Sequence, residues 1–135
     1  MAGEKTFRFS LITPDRKVLE CDATFVAIPA HDGEIGFLAH RAALLCKLAP
    51  GELRVETGVT TQHYFVDGGF AEALHNSLIV LTPYAEPTVD IKLDMAEEEL
   101  AEALHLPIID FESHELREKA VTRARARRRL ARTSH

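Results

Sequence analysis

The chain has 135 residues, 46% of them apolar and 27% charged. That is the profile of one globular domain, with or without a small appendage, long enough to bury a core. No run approaches the roughly 18–20 apolar residues of a membrane span, and no basic-then-apolar leader opens the sequence, so neither is expected. The net charge of −5 is unevenly spread. Residues 1–88 carry 7 basic and 11 acidic side chains, residues 89–112 carry Lys92 against eight acids, and residues 113–135 carry eight basic groups against Glu115 and Glu118. The last third is therefore an acidic segment followed by a basic one. Cys21 and Cys46 have no metal-type spacing and are expected to be buried, reduced thiols of a cytosolic protein.

Thr6 to Thr13 alternates, with Phe7, Phe9 and Leu11 on one face and Arg8 and Ser10 on the other, and Pro14-Asp15-Arg16 supplies a turn. Ala23 to Ile28 is a second strand-forming run, stopped by Pro29. Next, Gly33-Glu34-Ile35-Gly36-Phe37-Leu38 holds an acid and apolar residues between glycines, which suits a contact loop with Glu34 facing a partner. Ala42 to Leu48 is an apolar run closed by a predicted turn at Pro50-Gly51, and Glu52 to Glu56 alternates again. Thr60 to Val66 is strand-like. Asp67-Gly68-Gly69-Phe70 reads as scaffold, a tight bend or bulge that lets two strands pack closely. Phe70 to Leu74 and Leu78 to Leu81 flank a hairpin turn at His75-Asn76-Ser77. Short strands at about 8–12-residue spacing, with no helical pattern between them, predict an all-β sandwich or barrel.

At Pro87 the period changes. Leu93, Ala96, Leu100 and Leu104 recur at three- and four-residue steps, predicting one amphipathic helix over about residues 89–105, ended by Pro107. Ser113 is the predicted N-cap of a second helix, on which Leu116, Ala120, Ala124 and Ala131 draw a thin apolar stripe. An antiparallel pair would set Glu97-Glu98-Glu99 against arginines. Exposed ion pairs are worth about 0–1 kcal/mol each and an alanine stripe buries little, so this tail is expected to dock weakly and to be able to rearrange. The expected architecture is an all-β sandwich, residues 1–87, followed by a C-terminal α-helical hairpin, residues 88–135.

Catalytic signatures are missing. There is no phosphate-binding Gly-x-x-x-x-Gly-Lys loop, no Gly-x-Ser-x-Gly elbow and no His-Glu-x-x-His, and no helix start follows Gly68-Gly69 to make it a phosphate nest. The histidines at 31, 40, 63, 75, 105, 114 and 135 match no metal template, and reading Glu34 with Glu72 or Asp67 as an acid/base pair needs a proximity the sequence does not supply. The arginine run from Arg123 to Arg132 would attract phosphate. It lacks interleaved aromatics and follows an acidic segment, so a charged face for an acidic helix or protein groove is the expected use and nucleic acid is not an expected partner.

Five segments carry a resemblance. Phe9-Ser10-Leu11-Ile12-Thr13-Pro14, the Gly33 to Leu38 stretch, Pro50-Gly51-Glu52-Leu53-Arg54-Val55, and Phe65 to Glu72 with the Leu81-Thr82-Pro83-Tyr84-Ala85-Glu86 exit resemble, in order and spacing, the epsilon subunit of the F-type ATP synthase. The resemblance implies a non-catalytic central-stalk subunit of a proton-translocating synthase, peripheral on the cytoplasmic face of the plasma membrane. It would bind the gamma subunit and the c-ring through the sandwich. Its tail would reach the alpha/beta catalytic head when extended and inhibit ATP hydrolysis there. Glu34 matches the loop acid presented to the c-ring. His40-Arg41-Ala42-Ala43 stands where the family has Gly/Asn-His-x-Pro, so His40 and Arg41 are further c-ring contacts in altered form. Gly33, Gly36, Gly68 and Gly69 are scaffold positions, and Arg123, Arg127 and Arg128 belong to the regulatory tail. The nucleotide signature of some members, Ile/Leu-Asp-x-x-Arg-Ala, is here Val89-Asp90-Ile91-Lys92-Leu93-Asp94. Leu93 replaces the arginine, so no ATP or other cofactor is expected in the tail. The competing reading is an independent β-sandwich interaction module with a basic helical tail.

Overall fold

The computed structural model describes residues 5–134, the side chain of Ser134 excepted; His135, the last of the seven histidines, lies outside. Eight strands come first: β1 (Phe7–Ile12), β2 (Lys17–Ala23), β3 (Phe25–Ala30), β4 (Gly33–Phe37), β5 (Leu44–Glu56), β6 (Thr61–Leu74), β7 (Ser77–Leu81) and β8 (Ala85–Pro87). A 3-10 turn, Thr88–Asp90, leads to α1 (Leu93–Leu104) and α2 (Phe111–Ser134).

The strands form one hydrogen-bonded path, β2-β1-β7-β6-β5-β3-β4, with β8 on β6. Only β1 and β7 pair in parallel; every other ladder is antiparallel. Five strand spacings separate β1 from β4 along that path, about 24 Å in a flat sheet. Yet Phe9 and Leu11 of β1 share one buried cluster with Val26 and Ile28 of β3 and Phe37 of β4. The sheet is therefore folded over its own long strands. The first half of β5 and the second half of β6 belong with β1, β2 and β7, and the other halves belong with β3, β4 and β8. This is the expected sandwich, its core drawn from alternate residues of both layers.

The fold departs from the sequence reading at Pro50-Gly51, and the bend expected at Gly68-Gly69 lies within a strand. Pro50-Gly51 is not a turn, and Gly68-Gly69 does not interrupt its strand: β5 and β6 pair from Leu44↔Ala73 to Glu56↔Thr61 with no slip in register. The bend passes from one layer to the other within paired strands. At Gly69 (φ 110°) a Cβ would lie 2.0 Å from the Leu81 carbonyl oxygen, so only glycine fits this crossing. Gly33 to Phe37, expected as a loop, is strand β4, paired to β3 from Ala30↔Gly33 to Val26↔Phe37. The hairpin between β6 and β7 uses two residues, His75 (φ 50°) and Asn76 (φ 58°), both left-handed as a tight primed turn requires.

The tail is a helical hairpin laid against the sandwich. Its second helix starts at Phe111, two residues before the predicted cap. Asp110 is the capping residue: its Oδ1 accepts from the Ser113 amide at 2.8 Å, while the Ser113 Oγ accepts from the amides of Asp110 and Ile109 at 3.0 and 2.9 Å. This reciprocal arrangement is a capping box with Asp in the lead. Arg117 donates to the Leu104 carbonyl, so residues 111–116 project beyond the end of α1. For that reason Leu116, placed on the apolar stripe by periodicity, is 62% exposed, and the stripe that packs is Val121, Ala124, Ala126, Leu130 and Ala131.

Candidate functional site

Three surfaces stand apart from the core. The first is the β3–β4 hairpin. His31 and Asp32 make its tip, Gly33 (φ 123°) brings the chain back, and Glu34 is exposed opposite Pro29. A Cβ on Gly36 would lie 2.8 Å from the Phe25 ring, so Gly36 gives that ring its seat, with Arg54 stacked on it at 5.4 Å. The segment after β4 is fixed at the opposite end of the strand. The His40 amide donates to the Asn76 Oδ1 at 2.7 Å, Asn76 Nδ2 donates to the Thr6 carbonyl at 3.0 Å, and the Arg41 guanidinium lies 4.8 Å from the Phe37 ring centroid. A strand of five residues separates the two, rising about 3.3 Å per residue. Glu34 is therefore not gathered into one patch with His40 and Arg41.

The second surface is the outer face of the β1-β7-β6-β5 layer. Leu45, Phe70, Leu74, Ile79 and Leu81 are 36 to 68% exposed, and the ladders set them side by side: Phe70 is opposite Leu81, and Glu72 lies between Leu45 and Ile79. A contiguous apolar patch of this kind on a sheet face is the mark of a docking surface.

The third is the junction of sandwich and tail, on the outer face of the other layer. Phe65 points outward from β6, yet it is fully buried, in one cluster with Ile91, Ala96, Ala126, Leu130 and Ala131. Around it runs a chain of charges. Arg123 Nε donates to Asp67 Oδ2 at 3.0 Å and its Nη1 to Glu99; Arg127 donates to Glu86 at 3.0 Å through Nε and to Glu99 at 2.8 Å through Nη1. Both guanidiniums also face aromatic rings. Arg123 is 5.5 Å from the Tyr84 centroid and 5.9 Å from that of Phe65, and Arg127 is 5.8 Å from that of Phe65. Arg127 and Glu86 keep 17% and 15% of their side-chain surface exposed, which puts this pair well inside the interface. Burial opposes the charge on Arg127, but the hydrogen bonds it donates to Glu86 and Glu99 outweigh it and hold the guanidinium more firmly protonated than usual. Burial pushes the Tyr84 phenol up, and the Glu86 carboxylate beside it adds to the effect.

Of the tail arginines singled out from sequence, Arg123 and Arg127 enter this junction, whereas Arg128 forms no ion pair among the described residues. Their carboxylate partners on the sandwich, Asp67 and Glu86, were missed. Asp67 read as scaffold, and it is that too, its amide donating to the Tyr84 carbonyl at 3.0 Å. Only the Glu97-Glu98-Glu99 signal pointed here: Glu99 bridges both arginines, and Glu97 reaches Arg132 at 3.6 Å on the exposed side.

The acid/base reading finds no support, because Asp67 is taken by Arg123 and Glu72 stands amid the apolar patch. Among the described residues no three His, Cys, Asp or Glu side chains are arranged to hold a metal ion, and no helix is long and apolar enough to cross a membrane. Cys21 and Cys46 are free thiols, half-buried rather than buried, and burial raises both above the usual thiol range.

The sandwich thus presents one apolar outer face, an acid at a hairpin edge and a helical pair folded onto the other face. Similarity to known proteins assigns the family. The family model of the ATP synthase Delta/Epsilon chain beta-sandwich domain matches residues 6–88. The ATP synthase epsilon chain of Rhodopirellula baltica is 39% identical over 127 residues, spanning 94% of this chain and 99% of the relative. That of Nitratidesulfovibrio vulgaris is 36% identical over 129 residues, spanning 94% and 96%. The chain belongs to the ATP synthase epsilon chain family. A further relative from Propionigenium modestum, 32% identical over 70% of this chain and 69% of its own length, is described as sodium ion specific. Among solved structures, a chain of the Euglena gracilis mitochondrial ATP synthase, in its OSCP/F1/c-ring assembly, matches with a TM-score of 0.82 at 25% identity, covering all of this chain and 86% of that one. A chain of the Tetrahymena thermophila central stalk and c-ring shares the fold, with a TM-score of 0.74 at 13% identity.

Proposed function

We propose that this subunit couples the central stalk to the c-ring through its sandwich and restrains ATP hydrolysis through its tail, whose docked form is the conformation described above. The junction carries the reading. The tail is held by Phe65, a few alanines and leucines, and five charged groups that retain between 15 and 29% of their side-chain surface. Contacts of this size leave a second, undocked state within a few kcal/mol, as a switch requires.

The apolar outer face of Leu45, Phe70, Leu74, Ile79 and Leu81 is the docking surface for gamma. It lies on the layer opposite the tail, so gamma binds whether the tail is docked or released. Glu34 on the β3–β4 hairpin is the contact for the polar loops of the c-ring, with the cytoplasmic face of the plasma membrane as the setting. His40 and Arg41 are held by Asn76 and Phe37 and serve to fix the other end of β4. Once extended, the tail meets the alpha/beta head, where its basic second helix suits an acidic groove. The docked tail takes no nucleotide. Leu93 stands at the signature position, and Arg123 and Arg127 already share three carboxylates, a surplus of negative charge that disfavours phosphate.

The test is reconstitution with the stalk and head subunits, using the full chain and a chain ending at Pro87. Truncation should raise ATP hydrolysis while assembly and coupling persist. Equal hydrolysis by the two complexes would refute the regulatory role of the tail.

A further inference from the structure

The tail junction has two sides that do not part equally. Glu99 lies on α1 and moves with the hairpin, so on release Arg123 and Arg127 keep it. Asp67, Glu86, Phe65 and Tyr84 stay on the sandwich. They are set by backbone pairing rather than by the tail: the Asp67 amide donates to the Tyr84 carbonyl at 3.0 Å, and Glu86 is opposite Phe65 in the β6–β8 ladder. The Phe65 and Tyr84 rings lie 6.3 Å apart at an interplanar angle of 54°. Two carboxylates that accept from guanidinium nitrogens at 3.0 Å thus flank two aromatic rings that face the same guanidiniums. A planar cation that donates through its edge and stacks through its face is what this arrangement fits; an ammonium is a compact, strongly hydrated charge with neither a planar face nor a forked edge. The site also has a spacing. It takes two arginines four positions apart on one helix face, with buried Ala126 between them packed in the Phe65 cluster.

We propose that Asp67, Glu86, Phe65 and Tyr84 form a guanidinium-recognition site on the sandwich. It is filled in the docked state by Arg123 and Arg127 of the chain's own second helix, and is open to an arginine-bearing helix of another protein when the tail is away. The proposal rests on the release of the tail described under the proposed function. It adds that the vacated face is itself a binding site, so an incoming helix with paired arginines stabilises the released state by occupying it. Against the intact chain such a helix competes with a tethered ligand whose effective concentration is on the order of millimolar, so binding in trans is seen when the internal ligand is removed.

The experiment uses the full-length chain carrying R123A and R127A, with its folding checked by thermal melting. The probe is a synthetic helix of residues 119–134, beside an analogue with lysine at positions 123 and 127. Binding is followed by the resonances of Phe65 and Tyr84, and tail opening by amide exchange in α2. We expect the variant to show faster exchange in α2 and to bind the arginine peptide about tenfold more tightly than the lysine analogue of equal charge. Adding D67N and E86Q should abolish that preference. Equal affinity for the two peptides, a preference that survives D67N and E86Q, or no shift at Phe65 and Tyr84 would overturn the site while leaving tail release intact. Unchanged α2 exchange in the arginine-free variant would overturn the role of the arginines in docking, and the site with it. Guanidinium ion at low concentration provides a second readout. It should displace the arginine peptide from the variant whereas ammonium should not, and identical effects of the two cations would count against the proposal.

Discussion

Arg127→Ala is the most informative single change in the tail. The side chain is 17% exposed, donates to Glu86 and Glu99, and faces Phe65. Its removal leaves Glu86, only 15% exposed, without its guanidinium, and leaves Glu99 with Arg123 alone. Breaking a fully buried pair costs about 3–5 kcal/mol; partial access of water lowers this to about 2 kcal/mol for docking of the tail. At about 1.4 kcal/mol per tenfold, the docking equilibrium falls about thirtyfold. Amide exchange is the assay. Rates across α1 and α2 should rise by about that factor, while β1, β2 and β7, which carry no residue of the junction, are unchanged. Arg132→Ala is the internal control: its pair with Glu97 spans 3.6 Å between half-exposed side chains, and its loss should change the same rates less than about threefold. If the two variants behave alike, or if Arg127→Ala also loosens β1, β2 and β7, the junction is not the separate lock described above.

Other consequences are equally direct. Gly69→Ala sets a Cβ against the Leu81 carbonyl and should lower sandwich stability by about 3 kcal/mol or more. Gly33→Ala, with open space around it and only a strained φ to meet, should cost about 1 kcal/mol; chemical denaturation distinguishes them. Glu34→Lys should leave the melting temperature of the isolated chain unchanged, since the side chain is exposed, and should weaken coupling in the assembled complex; a large drop in melting temperature would make Glu34 a structural carboxylate. The capping box gives a pH dependence. The amide and hydroxyl of Ser113 hold the Asp110 carboxyl below the usual aspartate range, so its contribution is fully present above that range and is lost as pH falls through the lowered value. Exchange at residues 111–114 should rise on acidification before the rest of α2, and Asp110→Ala should remove that acid step.

Alternation of apolar residues over β1, β5 and β7 made the sandwich legible, and the change of period at Pro87 made the hairpin so. Strand β2 carries Glu20, Cys21 and Asp22 where a half-buried strand would show a cleaner alternation, because it lies at the edge of the sheet and its outer side chains pair with Arg8 and Lys17. The glycines of β4 and the Pro50-Gly51 pair look like punctuation, and only the ladders reveal that the backbone bends there without leaving the sheet. The junction was half legible. Acidic and basic stripes at helical spacing announced that arginines of α2 would meet Glu99. Nothing local announced Asp67 and Glu86, which lie 56 and 41 residues from their arginines and meet them through the fold of β6 against β8. The burial of Phe65 under the tail also had no sequence signal, since on β6 it alternates with Tyr64 and Val66, which face the other core.

The proposed regulation requires the docked tail to be the permissive state and the released tail the inhibitory one. Asp67→Asn with Glu86→Gln weakens docking from the sandwich side and leaves every residue of the tail in place, so steady-state ATP hydrolysis by the reconstituted complex isolates that claim. Hydrolysis should be lower with this double variant than with the native chain, and higher than native with the chain ending at Pro87. A double variant that hydrolyses ATP as fast as the native complex, or faster, would contradict it.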